Sequence, residues 1–187
     1  MLRDYLEDGR RALLWKIEDL GEYDVRRPLT PSGTNLLGVV KHVASMEALY
    51  FGVCFERPFG EPLPWLSDGA EPNADLWVPA DESREQISGF YARAIAHADV
   101  TIGALDLDSV GFVRWWGSGT EATLQKILVH MVAETHRHAG HVDIVRELVD
   151  GRVGYLPGDS NMPPMDEDWW ATYTERVESE ARATESG

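Results

Sequence analysis

The sequence predicts an all-α protein: a four-helix bundle followed by an extra short C-terminal helix. Three observations carry that prediction. Four long segments repeat apolar residues every three or four positions, the period of one helix face. Proline- and glycine-rich stretches separate those segments. No run of alternating β-branched residues stands out as a strand. The 187 residues suit one domain, and 43% hydrophobic residues supply material for a packed core.

The first helix is expected from about Asp4 to Leu20, with Leu6, Leu13, Ile17 and Leu20 near one face. Pro28, Pro31 and Gly33 then break the chain. Ser32 or Thr34 can cap a second helix, because a side-chain oxygen there accepts an orphan backbone N–H. That helix runs to about Glu56, and Val39, His42, Met46, Leu49 and Val53 share a stripe on it. Residues 57–80 hold five prolines with Trp65 and Trp77, which suits a structured loop rather than a flexible linker. Asp81 or Ser83 caps the third helix, about Glu82 to Leu105. Residues 106–119, with Trp115-Trp116-Gly117-Ser118-Gly119, form a second loop. Thr120 opens the longest helix, which ends near Asp150 with Gly151 just past it. About 30 residues at ~1.5 Å each make it about 45 Å long. Residues 153–165 are Gly/Pro-rich, and an acidic helix from about Asp166 to Ala181 follows. The expected division is a bundle over 1–155 and a loop with a short helix over 156–187, packed on the bundle or trailing it.

Seventeen Lys and Arg against 32 Asp and Glu leave a net charge of −15. Such a chain repels nucleic acid and anionic membrane surfaces, so neither is expected as a partner. Residues 56–85 and 159–187 carry −6 each, while 120–152 carry only −1. The lone Cys54 cannot form an intramolecular disulfide, which fits a reducing compartment. No charged-then-apolar leader is evident and no apolar run approaches a membrane span, so a cytoplasmic location is expected.

The chemistry concentrates on the longest helix. Steps of four and three give Ile127, Met131, Glu134, His138, His141, Val145 and Leu148, a stripe with three ionisable residues in its middle. A carboxylate on a buried face needs a cation or hydrogen bonds. Glu134 and His138 are spaced i, i+4 and can grip one ion together. His42 lies on the inward stripe of the second helix. Two His and one Glu on facing helices make a three-ligand site with an open position, suited to Zn²⁺, with Ni²⁺, Fe²⁺ or Mn²⁺ as further options. A hydrogen-bonded polar seam is the competing reading of the same residues. His130 can be a ligand, support one, or sit on the helix surface. His141 is near enough to orient a ligand or touch substrate. His136 points away from His138, and His97 reads as exposed. Cys54 reads as a small core residue. Phosphate-loop, dinucleotide, nucleophile-elbow, H-E-x-x-H and C-x-x-C motifs are absent.

Two segments carry a resemblance. Ser32-Gly33-Thr34-Asn35-Leu36-Leu37-Gly38-Val39-Val40-Lys41-His42-Val43-Ala44 resembles the second-helix motif of the DinB superfamily. His130-Met131-Val132-Ala133-Glu134-Thr135-His136-Arg137-His138-Ala139-Gly140-His141-Val142-Asp143 resembles its fourth-helix motif. The likeness covers about residues 1–155. It implies an up-down-down-up bundle, often a homodimer, with a divalent metal on His42, Glu134 and His138. Many members carry His at the middle position; the Glu here is similar to the mycothiol-dependent maleylpyruvate isomerase branch. The resemblance further implies a transferase or isomerase using a low-molecular-weight thiol such as mycothiol, with a small-molecule electrophile as second substrate. Trp116, Trp115 and the prolines of 57–80 can wall the pocket, and Arg137 or Arg146 can meet a substrate carboxylate, although a surface salt bridge is the plainer role for either arginine. A metal-dependent hydrolase and a non-catalytic, stress-associated metal-binding protein are the alternative functions.

Overall fold

The computed structural model describes residues 1–186, a mostly helical chain with one two-stranded sheet. Helix α1 spans Leu2–Trp15, shorter than the expected Asp4–Leu20. The cause is Arg146, whose guanidinium takes the carbonyls of Lys16 and Glu18 at 2.9 and 2.8 Å. Those carbonyls find a partner outside the helix, and the chain turns at Asp19, where φ is 57°. A five-residue helix α2, Glu22–Arg26, follows; periodicity cannot register so short an element.

Helix α3 spans Leu36–Tyr50, and its cap is Asn35 rather than Ser32 or Thr34. The Asn35 side chain accepts from the Gly38 N–H at 2.8 Å. The helix ends at Tyr50, and residues 53–55 form a single 3₁₀ turn. By length and composition Leu36–Phe55 could cross a membrane, which corrects the expectation that no run approaches that size. That stretch is 78% buried inside the fold, as the central helix of a packed protein would be.

Ser83 caps helix α4, Arg84–Ala104, in a reciprocal box with Gln86. The next segment departs from the all-α expectation. Strands β1, Val110–Val113, and β2, Thr120–Thr123, pair antiparallel with Val110 opposite Thr123. Four residues per strand are too few for alternation to announce itself, and the turn holds Gly117 and Gly119 at positive φ. Thr120 therefore closes a hairpin instead of opening a helix. Helix α5, Leu124–Asp150, starts one turn later, capped by Thr123, and Gly151 ends it at φ 76° as expected. Helix α6, Glu167–Ala183, is capped by Asp166 and buries none of its residues.

Contacts between side chains fix the helix directions. His42 meets His138 and Tyr50 meets His130, so α3 and α5 run antiparallel. His136 meets Tyr5 and Asp143 meets Lys16, so α1 and α5 run parallel. Tyr91 meets Glu47 and His97 faces Gly52, so α3 and α4 run parallel. Two apolar clusters fill the space between them. Leu13, Val40, Val43, Ile87, Phe90 and Val142 belong to one, and Leu6, Phe51, Leu124, Ile127 and Met131 to the other. Between α1 and α3 lies a buried ion pair, Arg10 (1% exposed) with Glu47 (0%). Burial works against the charge on Arg10, but Glu47 and Asp99 more than offset it and raise its pKa.

The seam of α5 is not quite the predicted stripe. Its buried residues are Leu124, Ile127, Leu128, Met131, Thr135, Ala139, Val142, Val145 and Arg146. Leu148, placed on the stripe by counting, is 62% exposed. Alternating steps of four and three average 3.5, and a straight helix turns every 3.6, so the counted stripe drifts by about 20° per heptad. Glu134 and His138 are half-buried, on the flank of the seam between core and solvent.

Candidate functional site

His42 sits on the second turn of α3, half-buried. Its Nδ1 lies 2.6 Å from the Asp75 carboxylate, which comes from the loop before α4. That hydrogen bond holds the Asp75 carboxyl below the usual aspartate range, against the opposing effect of burial. The loop reaches His42 because it is docked on the first turn of α3. The Asn35 side chain donates to the Leu76 carbonyl at 3.0 Å. Gly38 lets that carbonyl approach: a Cβ there would lie 1.9 Å from the Leu76 oxygen.

Opposite His42, α5 supplies His138. The two rings meet edge to face with centroids 4.8 Å apart. His138 Nε2 is 3.6 Å from Glu134 Oε2, and the His141 ring lies 5.5 Å from the His138 ring. Burial, and then the neighbouring His42, push the His138 pKa down to about 4. Its imidazole is therefore neutral near neutral pH. His138 Nδ1 is buried and has no hydrogen-bond partner among the described residues. Two imidazoles, one of them with an orphaned ring nitrogen, and a carboxylate form a donor set that fits a divalent cation. They come together in pairs: among the described residues, no three His, Cys, Asp or Glu side chains stand as a finished cation cage.

A cavity of about 420 Å³ opens beside His138 and His141. Its apolar wall is Val39, Leu76 and Trp77, and its polar rim includes Ser32, Thr34 and Asn73. The wall is thus made by the 73–77 loop, within the proline-rich stretch, and by Trp77 rather than Trp116.

The other predicted residues distribute as follows. His130 packs between Tyr50 and Trp116, with centroids at 4.8 and 4.9 Å, and burial lowers its pKa. Trp115 and Trp116 both donate to the Tyr50 hydroxyl at 2.9 Å. This aromatic group lies two helical turns from His138 on α5 and does not line the cavity. Arg137 is exposed. Arg146, read as more at home in a surface salt bridge, is fully buried and pinned to Asp150 and two carbonyls, so it is unavailable to a substrate. His97 is half-buried instead of exposed, because the Arg57 carbonyl holds its Nε2 at 2.8 Å. His136 faces α1 through the Tyr5 carbonyl, away from the site. Cys54 is buried, and burial pushes its thiol up to about 11, so it stays protonated and unreactive.

Sequence reasoning did not single out Asp75, Asn35, Gly38 or Trp77 as parts of this site. Asn35 and Gly38 lie within the motif that carries the resemblance, so two of the four had a signal. Asp75 is one of eight acids between residues 56 and 85. Nothing in the spacing distinguishes it, since its partner lies 33 residues earlier across a loop.

No curated protein matches the chain. A family model described as mycothiol-S-transferase matches residues 1–151, from the start of α1 to the glycine that ends α5. The match spans both motifs and every residue of the cavity wall, and it agrees with the DinB-superfamily resemblance. The chain belongs to the mycothiol-S-transferase family, a DinB-like family.

Proposed function

We propose that this protein is a divalent-metal-dependent S-transferase that joins a low-molecular-weight thiol of the mycothiol kind to a small electrophile. The observation that carries the reading is the family match over residues 1–151, which spans the facing pair His42 and His138. His42, Glu134 and His138 would hold the cation, with Zn²⁺ the best fit to this donor set and Ni²⁺, Fe²⁺ or Mn²⁺ as further options. When bound, the cation supplies positive charge that favours a thiolate over a thiol, whose ordinary pKa is about 8.5.

The chain's own groups support this chemistry. His138 is held neutral and so keeps a lone pair available at neutral pH. Glu134 brings the one carboxylate of the ligand set. Val39, Leu76 and Trp77 give the cavity an apolar wall, and the polar rim with His141 suits a hydrophilic thiol carrier. Cys54 is too deeply buried and too weakly acidic to act as nucleophile, so the attacking sulfur comes from the substrate. In the reaction the thiol gives up its proton to solvent and a sulfur–carbon bond forms. The electrophile's leaving group departs with its bonding pair, or the π pair of an activated double bond moves onto its electron-withdrawing group and a proton is taken up there.

The same reading takes the four long helices as an up-down-down-up bundle, in keeping with the contacts that fix their directions. It places the protein in the cytoplasm as a homodimer, with no nucleic acid or membrane partner. The test is product formation from mycothiol and a chromogenic electrophile with saturating Zn²⁺. Wild type should turn over and His42→Ala should be inactive; a variant as active as wild type would refute the reading.

A further inference from the structure

We propose that Asp75 is a positioning residue for His42: it holds the imidazole as the Nδ1–H tautomer and so reserves Nε2, with its lone pair, for a divalent cation. The inference rests on the metal reading above and adds to it a residue from outside both motifs.

The contact itself defines the proton. Asp75 Oδ2 lies 2.6 Å from His42 Nδ1, and the two side chains are only 14% and 19% exposed. An ionised carboxylate has no donor, so Nδ1 must supply the hydrogen. A neutral imidazole with no neighbours carries its proton mainly on Nε2. Without Asp75, the lone pair would therefore sit mainly on Nδ1, the nitrogen turned toward the loop. A carboxylate behind a ligating imidazole is a common way to set its tautomer and strengthen its basicity.

The loop that carries Asp75 is built to stay in place. Asn35 spans three partners at once: it accepts from the Gly38 N–H and donates to the Gly33 and Leu76 carbonyls. Leu76 rests on Gly38, and Gly38 and His42 are spaced i, i+4 on one face of α3. One helix face thus receives the loop backbone at Gly38 and the loop carboxylate at His42. An exposed pair such as Arg182 with Glu178, 73% and 58% exposed, has no such framework around it. Residues 73, 76 and 77 of the same loop line the cavity, so the segment that orients His42 also shapes the space next to His138.

The test uses the full-length protein. Nitrogen-15 NMR of the imidazoles in the metal-free form, at about pH 8 where histidine is mostly neutral, reads the His42 tautomer directly. Competition with a chromophoric chelator gives the Zn²⁺ dissociation constant. Wild type should show His42 protonated at Nδ1. Asp75→Ala should move the proton to Nε2 and weaken Zn²⁺ binding by about 10–100-fold. Asp75→Asn, whose amide oxygen can still accept from Nδ1, should restore the wild-type tautomer and recover most of the affinity, an effect that loss of local packing would not produce. An Asp75→Ala protein with the wild-type tautomer, or with affinity within about threefold of wild type, would overturn the role of Asp75 alone. A wild-type protein that shows the Nδ1–H tautomer yet binds no Zn²⁺ would overturn the metal reading, and with it the purpose assigned to Asp75.

Discussion

Replacing Glu47 with Ala tests the account of the buried framework behind the site. Glu47 is fully buried on the fourth turn of α3, five residues beyond His42. It receives two hydrogen bonds from Arg10, at 2.8 Å from Nε and 2.5 Å from Nη2. Removing the carboxylate leaves both nitrogens unpaired in a position where Arg10 is 1% exposed. Breaking a buried pair from one side destabilises by about 3–5 kcal/mol. Asp99 still meets Arg10 Nη1 at 3.0 Å, which places the expected loss in the lower half of that range, about 3–4 kcal/mol. In a domain of this size each kcal/mol shifts Tm by about 2–4 °C, so Tm should fall by about 6–16 °C. Urea titration followed by circular dichroism, with calorimetry, measures both quantities. Exchanging both partners for apolar residues, Arg10→Met with Glu47→Leu, should recover most of the loss, because no unpaired charge remains. A loss below about 1 kcal/mol in Glu47→Ala would refute the claim that the pair is desolvated and mutually dependent.

Further outcomes follow from the same structure. Gly38→Ala puts a Cβ 1.9 Å from the Leu76 carbonyl oxygen, so the loop must move; we expect about 1–3 kcal/mol of destabilisation and weakened Zn²⁺ binding, and a variant matching wild type in both would contradict the docking of 73–77. Cys54, its thiol raised to about 11 by burial, should react slowly with a thiol reagent in the native protein and rapidly in denaturant, and Cys54→Ala should retain transferase activity. Burial pushes the Asp150 carboxyl up, but the Arg146 hydrogen bond and Arg152 overcome it and hold the pKa below the ordinary aspartate value. Its contribution to stability is therefore fully present above about pH 4 and is lost as pH falls through the depressed pKa. Asp150→Asn should flatten the acid limb of the stability profile between about pH 4 and 2, and an unchanged limb would contradict the pairing.

The long helices were legible because each buries one apolar face, and periodicity reports such faces directly. The ends of α1 and α3 and the start of α5 were less so. Where α1 stops depends on Arg146, 130 residues away, which periodicity cannot see. The hairpin at 110–123 escapes a periodicity reading because its strands are too short to show alternation. Polar residues in the core were the other gap. Glu47, Arg10 and Arg146 look like surface residues in a list of types, and only the packing of α1 against α3 and α5 makes them partners. The site divides in the same way. His42, Glu134 and His138 stand out as ionisable residues on otherwise apolar helix stripes, and the structure brings His42 to His138 and His138 to Glu134. Asp75 and Trp77 come from a loop whose path is set by Asn35 and Gly38, and no local pattern encodes that path.

The most direct test of the central claim is the metal dependence of conjugate formation. Protein stripped with a chelator should form no product from mycothiol and electrophile above the uncatalysed rate. One equivalent of Zn²⁺ or another divalent ion per chain should restore activity. Full turnover by the stripped protein, unaffected by added ions, would contradict the account.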